Sequence, residues 1–247
     1  CHSALSKRAP PCLVAPLNHR LPMKKALLLS LVAFVGASLL RADPTREQLV
    51  DRVQTCEAIL QEFASRPAIG PSRQAWQSAK AILITNQFKA GFLLGVQDGY
   101  GVIMVKKSDG RWSLPVIVNA GEASFGLQVG AKSIASVFLI TDAATPRRLF
   151  DNRFNIGVDA KAVAGPKAAE AERNTEDILT TPLLAYSKST GLYAGATVKA
   201  GYISRNDTAN FSLYNTRYTM PELLYSDWVQ PIEEVKPIMA LIQRLAP

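Results

Sequence analysis

Between Arg73 and Arg111 the sequence holds six cations, Arg73, Lys80, Lys89, Lys106, Lys107 and Arg111, against two acids, Asp98 and Asp109, a local excess of +4. Clustered ammonium and guanidinium groups suit phosphate, and each contributes on the order of 1 kcal/mol near an anionic lipid surface. The same run also reads as an ordinary solvated face. Most other chemistry lacks its residues. Both histidines fall within residues 1–22, and of three cysteines only Cys56 lies beyond residue 12. The Ser-His-Asp arrangement, the Cys-His pair and the commonest zinc ligands are therefore missing from the chain after residue 42. No hydrolase activity, metal or cofactor is expected. Cys56 sits on the apolar stripe of a helix, where it reads as a small core residue.

The start of the sequence reads as leader. Residues 1–22 hold four prolines and no apolar period, and are expected to be non-native upstream sequence. Met23-Lys24-Lys25, the apolar run Ala26 to Leu40 and the close Leu40-Arg41-Ala42 have the three regions of a secretory signal peptide. No Cys stands near the cut to take a lipid, so the expected product begins near Asp43 and is periplasmic or secreted. The whole chain carries 28 basic and 20 acidic residues, but six of the basic ones and none of the acidic ones precede Asp43. The remainder is 22 against 20, a net of +2, which is no footprint for nucleic acid. Its roughly 205 residues suffice for one domain with a sizeable core.

The elements that must position the cations follow from periodicity. Leu49, Val53, Cys56, Leu60 and Phe63 recur at helical spacing within Thr45 to Ala64, with Arg46, Glu47, Asp51, Arg52, Glu57 and Glu62 opposite. Balanced charge on that polar face points to packing on a core rather than to anionic lipid. A second helix is expected over Pro71 to Lys80 and a strand over Ala81 to Thr85. From Phe88 to Trp112 apolar residues alternate on both sides of Asp98-Gly99, and Asp109-Gly110 follows; two such turn signals make an antiparallel meander. Lys106 and Lys107 then point to opposite faces of one strand.

Further strands are expected over 115–119, 125–130, 136–141, 154–164, 183–187 and 192–203. A helical turn with Arg147 and Arg148 is expected over 145–151, a loop over 165–177, and helices over 221–225 and 231–245. Helices around a strand-rich middle give an α+β fold, a strongly curved antiparallel sheet, barrel- or sandwich-like, flanked by N- and C-terminal helices. Residues 43–68 form the N-terminal helix, 69–205 the sheet domain and 206–247 a helical extension packing on it.

Six segments read together carry a resemblance. They are Ala79-Lys80-Ala81-Ile82-Leu83, Phe88-Lys89-Ala90-Gly91-Phe92-Leu93, Gly99-Tyr100-Gly101-Val102, Asp109-Gly110-Arg111-Trp112-Ser113-Leu114-Pro115, Ala164-Gly165-Pro166 and Tyr186-Ser187-Lys188-Ser189-Thr190-Gly191-Leu192-Tyr193-Ala194-Gly195. In this order over residues 76–203 the chain resembles the SYLF domain family. The resemblance implies binding of phosphoinositides and other anionic phospholipids, in eukaryotic members also of actin, without catalysis. It implies an N-terminal basic lipid contact, which Arg73, Lys80 and Lys89 carry over. The chain departs from the family at Lys167-Ala168-Ala169-Glu170, where Leu-Gly-Arg-Asn is usual, and at Lys132 and Ala135, where eukaryotic members have acids. An exported bacterial protein meets neither actin nor, ordinarily, phosphoinositides, so those two partners transfer least.

Three functions remain open on this reading. One is a non-catalytic exported protein that recognises anionic phospholipid headgroups through a basic surface. Another is a structural or protein-interaction module with a partner in the cell envelope, and the third is a small-molecule carrier with an apolar cavity inside the sheet. Lys188 reads either as a basic contact or as part of a turn between strands. Asn206-Asp207-Thr208 and Asn210-Phe211-Ser212 match the glycosylation pattern, and are read as chance matches if the source is bacterial.

Overall fold

The computed structural model describes residues 43–148, 150, 153–156, 162–164, 181–193 and 201–247, with side chains except at 89–98, 122–132, 162–164 and 189–193. Pro44–Pro247 form one compact unit. Helix α1 (Arg46–Ser65) opens on a capping box: Gln48 N–H donates to Thr45 Oγ1 at 3.4 Å, and Thr45 N–H to Gln48 Oε1 at 3.0 Å. The expected stripe of Leu49, Val53, Cys56, Leu60 and Phe63 is buried, with Val50 and Ile59 beside it. Burying a side chain of this size contributes roughly 1.5–3 kcal/mol.

Two strands of 25 residues, β1 (Ala81–Val105) and β2 (Val116–Ile140), pair antiparallel from Ala81↔Ile140 to Ile103↔Val116. This corrects the expected turn at Asp98-Gly99 and the expected break of residues 115–141 into three strands. Asp98 and Gly99 lie inside the ladder, opposite Gly121 and Ala120. The glycine answers a different need. A Cβ on Gly99 would stand 2.4 Å from the Asn86 carbonyl oxygen, and one on Gly101 2.6 Å from that of Ile84. The two halves of β1 therefore lie against each other, and Asn86 Nδ2 donates to Tyr100 Oη at 3.2 Å. These contacts nest around Phe92–Leu94, where the ladder shifts register as a bulge does. At the strand's two ends Lys106 N–H donates to Lys80 O at 2.8 Å. Laid flat, 25 residues would span ~80 Å, beyond the diameter of a domain of about 200 residues, so strong curvature is obligatory.

The second Asp-Gly is a true turn. Gly110 has φ +82°, its N–H donates to Lys107 O at 3.0 Å, and Lys107 N–H to Arg111 O at 2.8 Å. Along the other edge of β2 lie β5 (Leu183–Tyr193), paired from Leu183↔Ile140 to Tyr193↔Gly130, and β6 (Tyr202–Arg205) opposite residues 118–121. Strand β3 (Phe154–Asn155) pairs with β6, and β4 (Ala162–Ala164) runs parallel to β5, the one parallel pair among the described strands. Of the expected strands 154–164 and 192–203, residues 157–161 and 194–200 lie outside the described residues, as does the expected loop 165–177.

Two short helices, α2 (Arg73–Ser78) and α3 (Thr145–Arg148), flank β1 and β2 in sequence, and α4 (Asp207–Tyr214), α5 (Met220–Tyr225), a 3-10 turn (Glu233–Val235) and α6 (Lys236–Leu245) close the chain. Helix α4 went unforeseen. Asn206 caps it by accepting the Ala209 N–H at 3.1 Å, and the fully buried Asn210 fastens it to the sheet. The Asn210 side chain accepts the Ile117 N–H at 2.8 Å and donates to Ile117 O at 2.9 Å, standing in for a neighbouring strand one residue before the β6 ladder starts at Val118. A glycan on Asn210 is incompatible with this fold. The result is α+β, a strongly curved and predominantly antiparallel sheet with helices at both ends, as the periodicity implied.

Candidate functional site

Because β1 returns to its own beginning, Lys80 before the strand and Lys106 after it become neighbours. With Lys107, Asp109, Arg147 and Tyr225 they line a cleft of about 650 Å³, to which Asp227 also contributes. Four cations face two carboxylates there. Lys106 and Lys107, expected to part to opposite faces of one strand, both lie past the end of β1 at Val105, with Lys107 opening the Lys107–Gly110 turn, and both residues line the one cleft.

Of these four cations Lys107 is already engaged by a carboxylate. Lys107 Nζ lies 2.6 Å from Asp227 Oδ1 and donates to Ser226 O at 2.8 Å, and its side chain is only 13% exposed. Arg111 reaches Asp109 Oδ2 at 2.7 Å and Asp227 Oδ2 at 3.0 Å, beside the cleft rather than in its wall. The Lys107 hydrogen bond, then that of Arg111, holds the Asp227 carboxyl below the usual carboxylate range; the backbone N–H of Arg111, then its side chain, does so for Asp109.

Lys106 and Lys80 differ from these. Lys106 Nζ donates to the backbone oxygen of Pro247, and its pKa is lowered, first by desolvation and then by the charge of Lys80. Lys80 itself is exposed. Across the cleft the Arg147 guanidinium stands 5.7 Å from the centre of the Tyr225 ring, which Phe150 meets edge-on at 5.7 Å. Burial pushes the Tyr225 hydroxyl up, and Arg147 pulls it partly back.

The other expected site residues do not join. Arg73 opens α2 and is exposed away from this lining, and Lys89 stands opposite Lys132 in the β1–β2 ladder with its side chain outside the described residues. Arg147 and Tyr225 were missed as site residues, because nothing local in the sequence brings them to Lys80. Lys188 lies within β5, opposite Ala135, and not in a turn; its Nζ pairs with Glu62 Oε1 and so ties α1 to the sheet. Cys56 is fully buried with its thiol pushed up to about 12 by desolvation, which leaves no thiolate for chemistry. Among the described residues no group of three or more His, Cys, Asp or Glu is placed to hold a metal, and no helix is long and apolar enough to cross a membrane.

A family model described as "Ysc84: Las17-binding protein actin regulator" matches residues 121–245, half of the chain. The chain belongs to this family. Its Ysc84 relatives include an SH3 domain-containing protein of Schizosaccharomyces pombe, 31% identical over 176 residues, 69% of this chain and 40% of that protein. LAS seventeen-binding protein 3 of Saccharomyces cerevisiae is 29% identical over 189 residues, 75% of this chain and 40% of the relative. SH3 domain-containing YSC84-like protein 1 of Homo sapiens is 23% identical over 197 residues, 77% of this chain and 58% of the relative. The chain thus matches 40% to 58% of the length of these relatives. No solved structure matches. Two of the SYLF segments acquire physical roles in this Ysc84 chain. Gly99 and Gly101 permit the close approach of the β1 halves, Asp109-Gly110 turns the chain at the cleft, and Trp112 Nε1–H donates to Ala246 O at 2.8 Å, anchoring the end of α6.

Proposed function

We propose that the protein is a non-catalytic binding module whose cleft takes the anionic headgroup of a phospholipid at a membrane surface. One observation carries the reading: closure of β1 sets Lys80 beside Lys106, whose pKa is depressed first by desolvation and then by the charge of Lys80. Like charges held together in a concave site are relieved by an anion. Family membership supports binding over catalysis, and residues 23–42 support an exported, periplasmic or secreted, location. Sequencing the N-terminus of protein from the native host tests that location: a terminus near Asp43 is expected, and one before Met23 overturns it.

The binding test is co-flotation with anionic and with zwitterionic vesicles. Salt-sensitive flotation with the anionic set alone is expected, weakened in Lys80→Glu and Lys106→Glu, because separated surface charges are screened beyond ~10 Å at 0.1 M salt. Equal behaviour of both variants and the parent overturns the site. Lys107→Glu is the wrong variant, since it sets a carboxylate against Asp227 and perturbs the fold.

A second reading, a protein-interaction module, is favoured by relatives named for binding LAS seventeen and by the family description as an actin regulator. Absence of flotation together with co-sedimentation on filamentous actin, or capture by a protein partner, selects it.

A further inference from the structure

We infer that Trp228, with Tyr218, is an interfacial anchor that enters the headgroup layer of the membrane whose lipid the cleft holds; this rests on the lipid reading above. Trp228 is 65% exposed and Tyr218 37%, with ring centres 5.2 Å apart and planes inclined by 46°. The other two tryptophans are core residues, Trp76 at 4% and Trp112 at 5% exposure. An indole and a phenol each combine an apolar body with a polar handle, the combination favoured at the water–lipid boundary.

The pair is also placed and held. Trp228 follows Asp227, a wall residue of the cleft, and Ser226 and Asp227 are fastened to the 106–111 turn through Lys107 and Arg111. Trp228 N–H donates to Ser226 Oγ at 3.4 Å, and Tyr218 buttresses the ring. A ring fixed in advance loses little freedom on binding. Lys80, Lys106 and Arg147 at the neighbouring cleft supply the complementary charge for an anionic surface. A second copy of the chain fits less well. Two rings offer roughly 150–250 Å² each, well short of the roughly 800 Å² per partner of a stable interface.

The position of the tryptophans makes the test spectroscopic. Full-length protein is mixed with phosphatidylglycerol vesicles and with phosphatidylcholine vesicles, each carrying brominated acyl chains. With phosphatidylglycerol the emission is expected to shift to shorter wavelength and to be quenched. Trp228→Phe removes the quenching while Trp76 and Trp112 still emit, and Trp228→Ala weakens vesicle binding roughly tenfold, the equivalent of withdrawing one large side chain from an apolar layer. Flotation with unchanged emission, and with equal binding by Trp228→Ala, overturns the anchor and leaves the cleft reading standing. Loss of all flotation in the parent overturns the cleft reading and the anchor with it. A change of oligomeric state in Trp228→Ala without lipid, its flotation intact, assigns the rings to a second copy and also overturns the anchor.

Discussion

Asp227 is the hinge of the charge arrangement, because one carboxylate takes Lys107 on one oxygen and Arg111 on the other. Its pKa is lowered in the folded state, chiefly by the Lys107 hydrogen bond. A lowered carboxyl pKa contributes stability above the unfolded value, about 3.9, and that contribution is lost as pH falls through the folded value. Asp227→Asn is therefore expected to be less stable than the parent at pH 7, with the gap closing below about pH 4. Urea denaturation at several pH values measures it, and a pH-independent gap contradicts it. Asn210 is the polar counterpart in the core. Asn210→Ala strips the Ile117 N–H and C=O of their partners, and two buried orphans cost on the order of 3 kcal/mol, read as a lower denaturation midpoint. The cations were legible as residues, and their excess between Arg73 and Arg111 is plain in the sequence. Which of them matter was not, since pairing with Asp227 removes Lys107 and Arg111 from the available charge, and Asp227 lies more than a hundred positions away.

At the scale of elements, two identical dipeptides took different fates. Asp98-Gly99 and Asp109-Gly110 carry the same local turn signal, yet only Gly110 has positive φ among the described glycines. What separates them is packing: Gly99 is needed because the Asn86 carbonyl lies where its Cβ would be, whereas nothing lies within 4 Å of a Cβ on Gly110. Gly99→Ala is accordingly expected to cost at least about 2 kcal/mol through backbone displacement, against about 1 kcal/mol of conformational cost for Gly110→Ala. Equal midpoints in thermal unfolding would return Gly99 to the role of a turn. Helix α1 was legible because its stripe runs from Leu49 to Phe63, about four turns. Helix α4 was not, because it is eight residues long and its buried face includes the polar Asn210, so that the segment reads as a polar loop.

For the whole molecule, the curvature was legible only as an inference from many small residues, whereas the agent of curvature is one ribbon folded back at the Phe92–Leu94 register shift. The Lys106 N–H to Lys80 O bond joins the first and last residues around β1, so the cleft exists only while the ribbon is closed. Binding and closure are then thermodynamically linked: a ligand that selects the closed form stabilises it by about 2.7 kcal/mol at a hundred times its Kd. Amide hydrogen exchange at Lys106 is expected to slow about a hundredfold at that concentration of anionic lipid, with amides near Asn210 showing no change beyond the global stabilisation. Exchange at Lys106 that ignores bound lipid would separate site from latch. On this account the occupant completes the molecule's architecture, and an empty cleft marks the place where the ribbon opens first.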